Sequence, residues 1–251
     1  NTSDANSGSF TARIYQKSMR WMFSKVPTDY IACGDAAANY LFPKRSDVVI
    51  IPNAIDIDKF INAQGANIRK ELGVDDNKLI IIQVGRFMPV KNHSFSVQIA
   101  ASLRDAGVDF LMLFVGTGPE LETIKSLIKK HDLEKQVHLL GLREDIPELM
   151  AASNIMLMPS LHEGFPVVLV ESQAAGLPAV IANTISNEVD LDIGLVNFVD
   201  LNSSADEWGI NIQNAVKNTI PIDADRIKTL EKHGFSACAG AERLMKIYNE
   251  K

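Results

Sequence analysis

The sequence predicts an α/β protein in which helices cover both faces of a doubly wound parallel sheet. Short runs of apolar residues alternate with helix-like segments between positions 79 and 182. Continuous apolar strands are typical of parallel sheets that are buried on both faces. The chain has 251 residues, of which 46% are hydrophobic, so it is long enough for one large α/β domain and part of a second.

Each predicted element follows from its local pattern. Strands are expected where about four to six apolar residues follow one another, and helices where apolar residues recur with a helical period. The predicted strands are residues 30–33, 48–51, 79–84, 110–115, 137–140, 155–158 and 179–182. The predicted helices are residues 35–42, 94–105, 120–130, 146–151 and 166–175, followed by a mainly helical region from 205 that ends in a helix at 238–249.

A domain boundary is predicted at residues 52–56, Pro-Asn-Ala-Ile-Asp, where the alternation stops before it resumes at Leu79. We therefore expect residues 1–52 to hold a polar disordered tail and the last βαβ piece of a preceding N-terminal domain. A linker is expected at 53–78 and a complete ligand-binding domain with C-terminal helices at 79–251. Because the sequence starts at Asn1 rather than Met, we expect it either to begin inside a larger protein or to have been trimmed at its N terminus.

Composition and charge argue against several classes of protein. A formal net charge of −6 gives no support for nucleic-acid binding, which usually shows as a basic excess. Basic residues outnumber acidic ones between positions 10 and 45, which fits either peripheral contact with an anionic membrane surface or a solvated helix face. Cys33 and Cys238 have no metal-ligand or disulfide spacing, and no apolar run approaches the ~20 residues of a membrane span. These features predict a cytoplasmic protein, with the inner face of the cell membrane as the alternative location.

Three of the predicted loops at the carboxyl ends of the strands contain a glycine. In the first of them charged side chains follow the glycine, and in the other two the glycine lies in a predicted turn. Ligands of open parallel sheets bind at these strand ends. Gly85 permits close approach of a ligand to the backbone, and Arg86 and Lys91 together are able to neutralise a diphosphate. Further glycine turns follow the next two strands at Gly116 and at Gly141-Leu142. Each loop alone also fits exposed cations or a tight turn into a helix.

The fourth loop, His162-Glu163-Gly164-Phe165-Pro166-Val167, is the most informative segment of the chain, and Glu171 follows it. Pro166 lies where a helix is expected to begin, and a helix N terminus favours an anion in front of it. A carboxylate in so apolar a stretch is costly to bury unless it is hydrogen-bonded. The alternatives are that Glu163 caps the helix and that Glu171 pairs with a buried cation.

Together the four loops fit a nucleotide sugar, because cations and a helix N terminus suit phosphates while carboxylates suit sugar hydroxyls. Other chemistries have little support in the sequence. Its five histidines have no metal-ligand spacing, so no metal site is predicted. The sequence also contains neither a Gly-x-Ser-x-Gly nucleophile motif nor a Gly-Lys-Ser/Thr phosphate loop.

In combination these motifs resemble the group 1 (family 4) retaining glycosyltransferases of the GT-B fold. The resemblance lies in Gly85-Arg86 with Lys91, in Gly116-x-Gly118-Pro119, and in Pro159-Ser160-x-x-Glu163-Gly164-Phe165-Pro166 with Glu171. It covers the chain from about Tyr30 to the C terminus. It implies the Rossmann-like, donor-binding C-terminal half of such an enzyme, with a remnant of its N-terminal domain.

The resemblance also implies roles for individual residues. Arg86, Lys91 and Glu163 would be the catalytic residues: the two cations hold the departing diphosphate and Glu163 contacts hydroxyls of the sugar. Glu171 would bind the ribose hydroxyls. The donor-binding residues would be Gly85, Gly116, Gly141, Leu142, His162, Gly164, Phe165, Pro166, Val167 and Glu171.

The implied activity is transfer of a sugar, with retention of configuration, from a UDP- or GDP-type donor to a sugar or lipid-linked acceptor of a cell-surface glycan. No cofactor and no metal would be needed. We expect the chain alone to bind nucleotide but to transfer sugar weakly or not at all. Two alternatives remain: an inactive nucleotide-sugar-binding module, and a nucleotide-sugar epimerase, for which His162 and Glu163 are the only acid/base candidates.

Overall fold

The computed structural model describes residues 14–15, 18–19, 21–22, 29–75, 77–217 and 219–249. It divides the chain into two compact units. One unit consists of the described residues of Asn1–Ile55 and Glu231–Lys251, and the other of those of Asp56–Leu230. The predicted polar tail, Asn1 to Ser9, lies outside the described residues.

The smaller unit contains the predicted βαβ piece. Strand β1 (Tyr30–Ala32) leads into helix α1 (Asp35–Leu41) and strand β2 (Val48–Ile50), and the two strands pair in parallel. Its C-terminal part includes helix α10 (Ala237–Asn249). The terminal helix therefore groups with the N-terminal piece, whereas the prediction placed it in the domain that starts at residue 79.

The larger unit contains six parallel strands in the spatial order β5-β4-β3-β6-β7-β8. This order confirms the predicted doubly wound α/β fold, since the chain starts in the centre, runs to one edge, and then returns to build the other half. The strands are β3 (Leu79–Val84), β4 (Phe110–Val115), β5 (Val137–Gly141), β6 (Ile155–Met158), β7 (Ala179–Ala182) and β8 (Val196–Val199).

Helices cover both faces of this sheet. Helices α4 and α8 pack against each other and against strands of the sheet. Helix α6 packs on β3, and α7 packs on β7. Helix α3 packs against α6, and α2 packs against both α6 and α7. The helices of this unit are α2 (Ile57–Ile61), α3 (Ala66–Leu72), α4 (His93–Asp105), α5 (Leu121–Lys130), α6 (Ile146–Ala152), α7 (Val167–Ala174), α8 (Ala205–Ala215) and all but the last two residues of α9 (Asp223–Lys232).

Side-chain alternation explains why the strands are apolar throughout. Met112 and Phe114 point into a core with Trp208 of α8, and all three are fully buried. The alternate residues of the sheet, such as Ile80 and Ile82, are also fully buried on its other face. Because successive residues of a strand point to opposite faces, a sheet covered on both faces requires an apolar residue at nearly every position.

The structure corrects two expectations about secondary structure. Residues 53–78 are not a plain linker, because helices α2 and α3 form there and bury Phe60 and Ile68. A Cβ atom on Gly65 would lie 2.4 Å from the Ala152 backbone, so this segment packs closely on the sheet domain. Strand β8 was not predicted, since its four residues include Asn197 and give little periodic signal.

Candidate functional site

The loops after β3 and β6 lie side by side at the point where the strand order reverses. Strands β3 and β6 are direct neighbours in the sheet. The amide of Leu161 donates to the carbonyl oxygen of Val90 over 2.8 Å, and the side chain of Asn92 donates to the carbonyl of Pro159 over 3.0 Å. These bonds hold the two loops together where open α/β sheets bind their ligands.

An ion pair spans the two loops. The Lys91 Nζ atom lies 2.6 Å from Oε1 of Glu163, and these side chains are only 21% and 12% exposed. The two residues are 72 positions apart in sequence, yet both were predicted to belong to one site. The Lys91 ammonium is half-buried, so it can still reach an anionic ligand. Lys91 can therefore bind such a ligand either together with Glu163 or in place of it.

Buried polar contacts fix the backbone that precedes this ion pair. The side chain of Gln83 donates to the carbonyl of Lys91 over 2.9 Å, and the hydroxyl of Ser96 donates to Gln83 over 2.6 Å. Beside them His93 is fully buried, with its ring centroid 4.3 Å from that of Phe87. Burial, followed by the charge of Lys91, lowers the pKa of His93 to about 3, so the imidazole is neutral. It is a core residue in the described structure.

A cavity of about 400 Å³ opens beside Arg86, at the carboxyl ends of β3, β4 and β5. Backbone hydrogen bonds connect the three loops that form it. The amide of Gly85 donates to the carbonyl of Val115 over 2.9 Å, and the amide of Gly116 donates to the carbonyl of Gly141 over 2.8 Å. Four of the predicted site residues, the catalytic Arg86 and the donor-binding Gly85, Gly116 and Leu142, thus line one cavity. Its lining residues are Val84, Gly85, Arg86, Val115, Gly116, Thr117, Leu142, Arg143 and Ile146.

Two glycines allow these loops to approach each other closely. Gly116 has φ +138°, and a Cβ atom there would lie 2.1 Å from the Gly85 carbonyl oxygen. A Cβ atom on Gly118 would lie 2.3 Å from the carbonyl oxygen of Phe87. Only glycine fits at either position without moving the loop that contains Arg86. This packing explains the Gly-x-Gly spacing that the sequence displays.

Arg143 is a cavity residue that the sequence reasoning did not select. Its guanidinium pairs with Asp145 and with Glu71 of α3, at 2.6 and 2.7 Å. Hydrogen bonds to Asp145 and then to Glu71 raise the pKa of Arg143, and the same bonds lower the pKa values of both carboxyl groups. The Arg-x-Asp spacing in the sequence indicates the contact between Arg143 and Asp145. No local sequence pattern indicates the contact between Arg143 and Glu71.

The remaining predicted residues lie in the loop before α7 and in that helix. The helix begins at Val167, one residue later than predicted, and Pro166 is its N-cap. Glu171 is half-buried, and desolvation raises the pKa of its carboxyl group. Among the described residues, Glu171 forms no ion pair with Arg86 or Lys91, and His162 is exposed. The structure therefore joins Glu163, but not Glu171, directly to the cationic loop.

The described residues contain neither a cluster of metal ligands nor a helix suited to span a membrane. No group of three or more His, Cys, Asp or Glu side chains there is arranged to hold a metal ion. None of the helices described has the length and apolar character needed to cross a membrane.

The strand order, with β3 and β6 adjacent at the switch point, defines a Rossmann-like α/β protein. Comparison with known sequences then gives the family: residues 65–222 match the family described as "Glycosyl transferases group 1". The chain belongs to this family, as the resemblance implied.

Individual relatives agree with this assignment. The chain is 37% identical over 228 residues to "Putative glycosyltransferase EpsF" of Bacillus subtilis, a match that covers 88% of this chain and 59% of that protein. It is 32% identical over 173 residues to the Escherichia coli "UDP-Gal:alpha-D-GlcNAc-diphosphoundecaprenol alpha-1,3-galactosyltransferase", covering 65% of this chain and 44% of that one. It therefore spans about half the length of these relatives.

Solved structures confirm the fold. The structure of Anabaena Alr3699/HepE in complex with UDP superposes with a TM-score of 0.80 at 20% sequence identity. The match covers 95% of this chain and 68% of that chain. At this level of identity the likeness shows a shared fold.

Proposed function

We propose that this chain is the donor-binding portion of a glycosyltransferase that moves a sugar from a nucleoside diphosphate donor to an acceptor. Family membership supports the reaction class. The E. coli relative is named for a UDP-linked donor sugar, and the HepE structure contains UDP, which supports a nucleoside diphosphate as the ligand.

The Lys91–Glu163 pair across the switch point is the observation that best supports this function. Its lysine, Lys91, lies in the same loop as Arg86, and Arg86 lines the cavity. In our proposal Arg86 and Lys91 bind the diphosphate and stabilise the charge that develops as it departs. Glu163, already within hydrogen-bonding distance of Lys91, accepts hydrogen bonds from hydroxyls of the transferred sugar.

The other predicted residues complete the donor site in this proposal. Residues 164–167 bring backbone amides of the α7 N terminus toward the sugar and phosphates, with His162 beside them. Glu171, four residues into α7, accepts hydrogen bonds from the ribose hydroxyls. The half-buried position of Glu171 fits this role, because a ligand hydroxyl would supply the hydrogen bond that a desolvated carboxylate requires.

Several further properties belong to the proposal. Two cations at the diphosphate allow transfer without a metal, and the family resemblance suggests retention of configuration. The name of the E. coli relative contains a diphosphoundecaprenol-linked sugar, which supports a sugar or lipid-linked acceptor. A role in cell-surface glycan synthesis at the cytoplasmic face of the membrane is part of the proposal.

Calorimetric titration with UDP and GDP tests the proposal. We expect Arg86→Ala to weaken the binding of the favoured diphosphate by about 10–100-fold, because a charge-assisted hydrogen bond contributes about 1.5–3 kcal/mol. Lys130→Ala is the matched control, since Lys130 is an exposed cation on α5. The proposal fails if neither diphosphate binds, or if Arg86→Ala binds as tightly as Lys130→Ala.

A further inference from the structure

Gln83 is a buried polar residue in a strand that is otherwise apolar. It is the next-to-last residue of β3, and only 2% of it is exposed. Burial of an amide group is costly unless the group is hydrogen-bonded. Ile81, two positions earlier on the same face of the strand, belongs to the apolar core, so packing alone does not require an amide at position 83.

Two hydrogen bonds give this amide group a defined orientation. The hydroxyl of Ser96, itself fully buried near the start of α4, donates to Oε1 of Gln83 over 2.6 Å. The amide nitrogen, Nε2, donates to the carbonyl of Lys91 over 2.9 Å. The reverse orientation would bring the amide oxygen against the carbonyl oxygen of Lys91, and two acceptors cannot bond to each other. Ser96 therefore stabilises the orientation in which Gln83 holds Lys91.

The backbone of Lys91 depends on individual hydrogen bonds, because it lies outside the α-helices and strands. Lys91 is the last residue of a single 3₁₀ turn, Pro89–Lys91. Its carbonyl accepts from Gln83 over 2.9 Å, and the next residue, Asn92, donates through its side chain to the carbonyl of Pro159 over 3.0 Å. The backbone here is thus held from β3 on one side and from the loop after β6 on the other.

The position of this backbone determines where the Lys91 ammonium group lies. The side-chain stem passes beside Gly85, since a Cβ atom on Gly85 would lie 3.4 Å from Cε of Lys91 and 3.5 Å from its Cδ. Gly85 lines the cavity together with Arg86. The ammonium then reaches Oε1 of Glu163 over 2.6 Å. A shift of the Lys91 carbonyl would therefore move the ammonium relative to the carboxylate and to the cavity.

We propose that Gln83 and Ser96 are positioning residues for donor binding, which hold the Lys91 carbonyl and thereby place the Lys91 ammonium group for the diphosphate. This inference rests on the proposed function, since it requires Lys91 to bind the donor. Neither positioning residue contacts the ligand. Their effect on affinity passes through Lys91, whereas their effect on stability depends on the pairing of their own buried polar groups. The two effects can therefore be measured separately.

The double variant Gln83→Met with Ser96→Ala removes the positioning bond at little cost in stability. It replaces both buried partners by apolar groups of similar shape, which is nearly neutral for stability. The bond to the Lys91 carbonyl is only partly buried, so the released carbonyl can turn toward water, and this rotation displaces the ammonium. In calorimetry of the full chain with UDP and GDP, we expect the favoured diphosphate to bind about tenfold more weakly. The urea midpoint should stay close to that of the wild type.

Three further variants show whether the effect passes through Lys91. Ser96→Ala alone should lower the urea midpoint, because Oε1 of Gln83 stays buried without its donor, and should change affinity less than the double variant does. Gln136→Met is the matched control, since Gln136 precedes β5 at the end of the strands opposite to the cavity, and it should bind as tightly as the wild type. In a Lys91→Met background the double change should cause no further loss of affinity.

The outcomes distinguish this inference from the proposed function. If the double variant binds as tightly as the wild type, the positioning role is refuted while the donor site stands. An equal loss of affinity in the Lys91→Met background also refutes it, because the effect then does not pass through Lys91. A lower urea midpoint with unchanged affinity shows a structural role only. If the wild type binds neither UDP nor GDP, the proposed function is wrong and the positioning role with it.

Discussion

Replacement of Gly118 by alanine tests whether close packing between two loops positions the cationic side chains. The added Cβ atom would lie 2.3 Å from the carbonyl oxygen of Phe87, about 1 Å closer than van der Waals contact allows. Phe87 is fully buried, its amide donates to Thr117 over 3.0 Å, and its carbonyl accepts from Glu120 over 3.2 Å. Relief of the overlap must therefore stretch both hydrogen bonds and shift Arg86, the preceding residue.

The expected magnitude follows from these contacts. Overpacking costs about 1–3 kcal/mol and each lost hydrogen bond about 1 kcal/mol, so the free energy of unfolding should fall by about 3–5 kcal/mol. The displaced loop should also weaken UDP binding by about tenfold or more.

Urea unfolding and UDP titration of the same variant measure both effects. The matched control is Gly107→Ala, because Gly107 has φ +72° and a Cβ atom there meets nothing within 4 Å. Its cost should be only the backbone strain of about 1–2 kcal/mol, with UDP affinity unchanged. Gly118→Ala with a stability equal to that of Gly107→Ala would contradict the packing argument.

Three other predictions concern single side chains. Lys91→Met should lower the free energy of unfolding by about 2 kcal/mol, because the Glu163 carboxylate loses its partner, and urea unfolding should show partial recovery when Glu163→Gln is added. Glu171→Gln should be more stable than the wild type at pH 7 and equal to it at pH 4. Desolvation raises the folded-state pKa of Glu171 above the ordinary 4.5, so wild-type stability declines as pH rises from 4.5 through the folded-state pKa. Thermal unfolding of both proteins at pH 7 and pH 4 measures this effect. A stability difference that persists at pH 4 would contradict it. Trp208→Ala should cost about 3–5 kcal/mol in urea unfolding, whereas Ile210→Ala on the exposed side of the same helix should stay within about 0.5 kcal/mol.

Most of the larger unit was predictable because its strands are continuous apolar runs bounded by glycine or polar residues. Strands β3, β4, β6 and β7 begin and end where the sequence predicts. Helices α2 and α3 were missed because each has seven residues or fewer and few apolar positions, so their stability comes from packing on α6 and α7 rather than from local pattern. The assignment of α10 to the sheet domain was wrong for a related reason: helical periodicity does not specify which core a helix joins.

For the candidate site, the sequence by itself determined the residue types and their positions at strand ends. The rule that ligands bind at the carboxyl ends of parallel strands was enough to bring Arg86, Lys91 and Glu163 into one hypothesis. The roles of these residues remain predictions, and the titrations described above test them.

Only the tertiary structure decided which of these side chains touch. The order of the strands makes β3 and β6 neighbours, and this adjacency pairs Lys91 with Glu163. The packing of α3 against α6 brings Glu71 to Arg143, across 72 residues of sequence. Contacts of this range depend on how the whole core packs, whereas sequence periodicity reports only the environment of each element. The sequence therefore determined the fold class and the chemistry available at the strand ends, and the packed core determined which partner each charged group has.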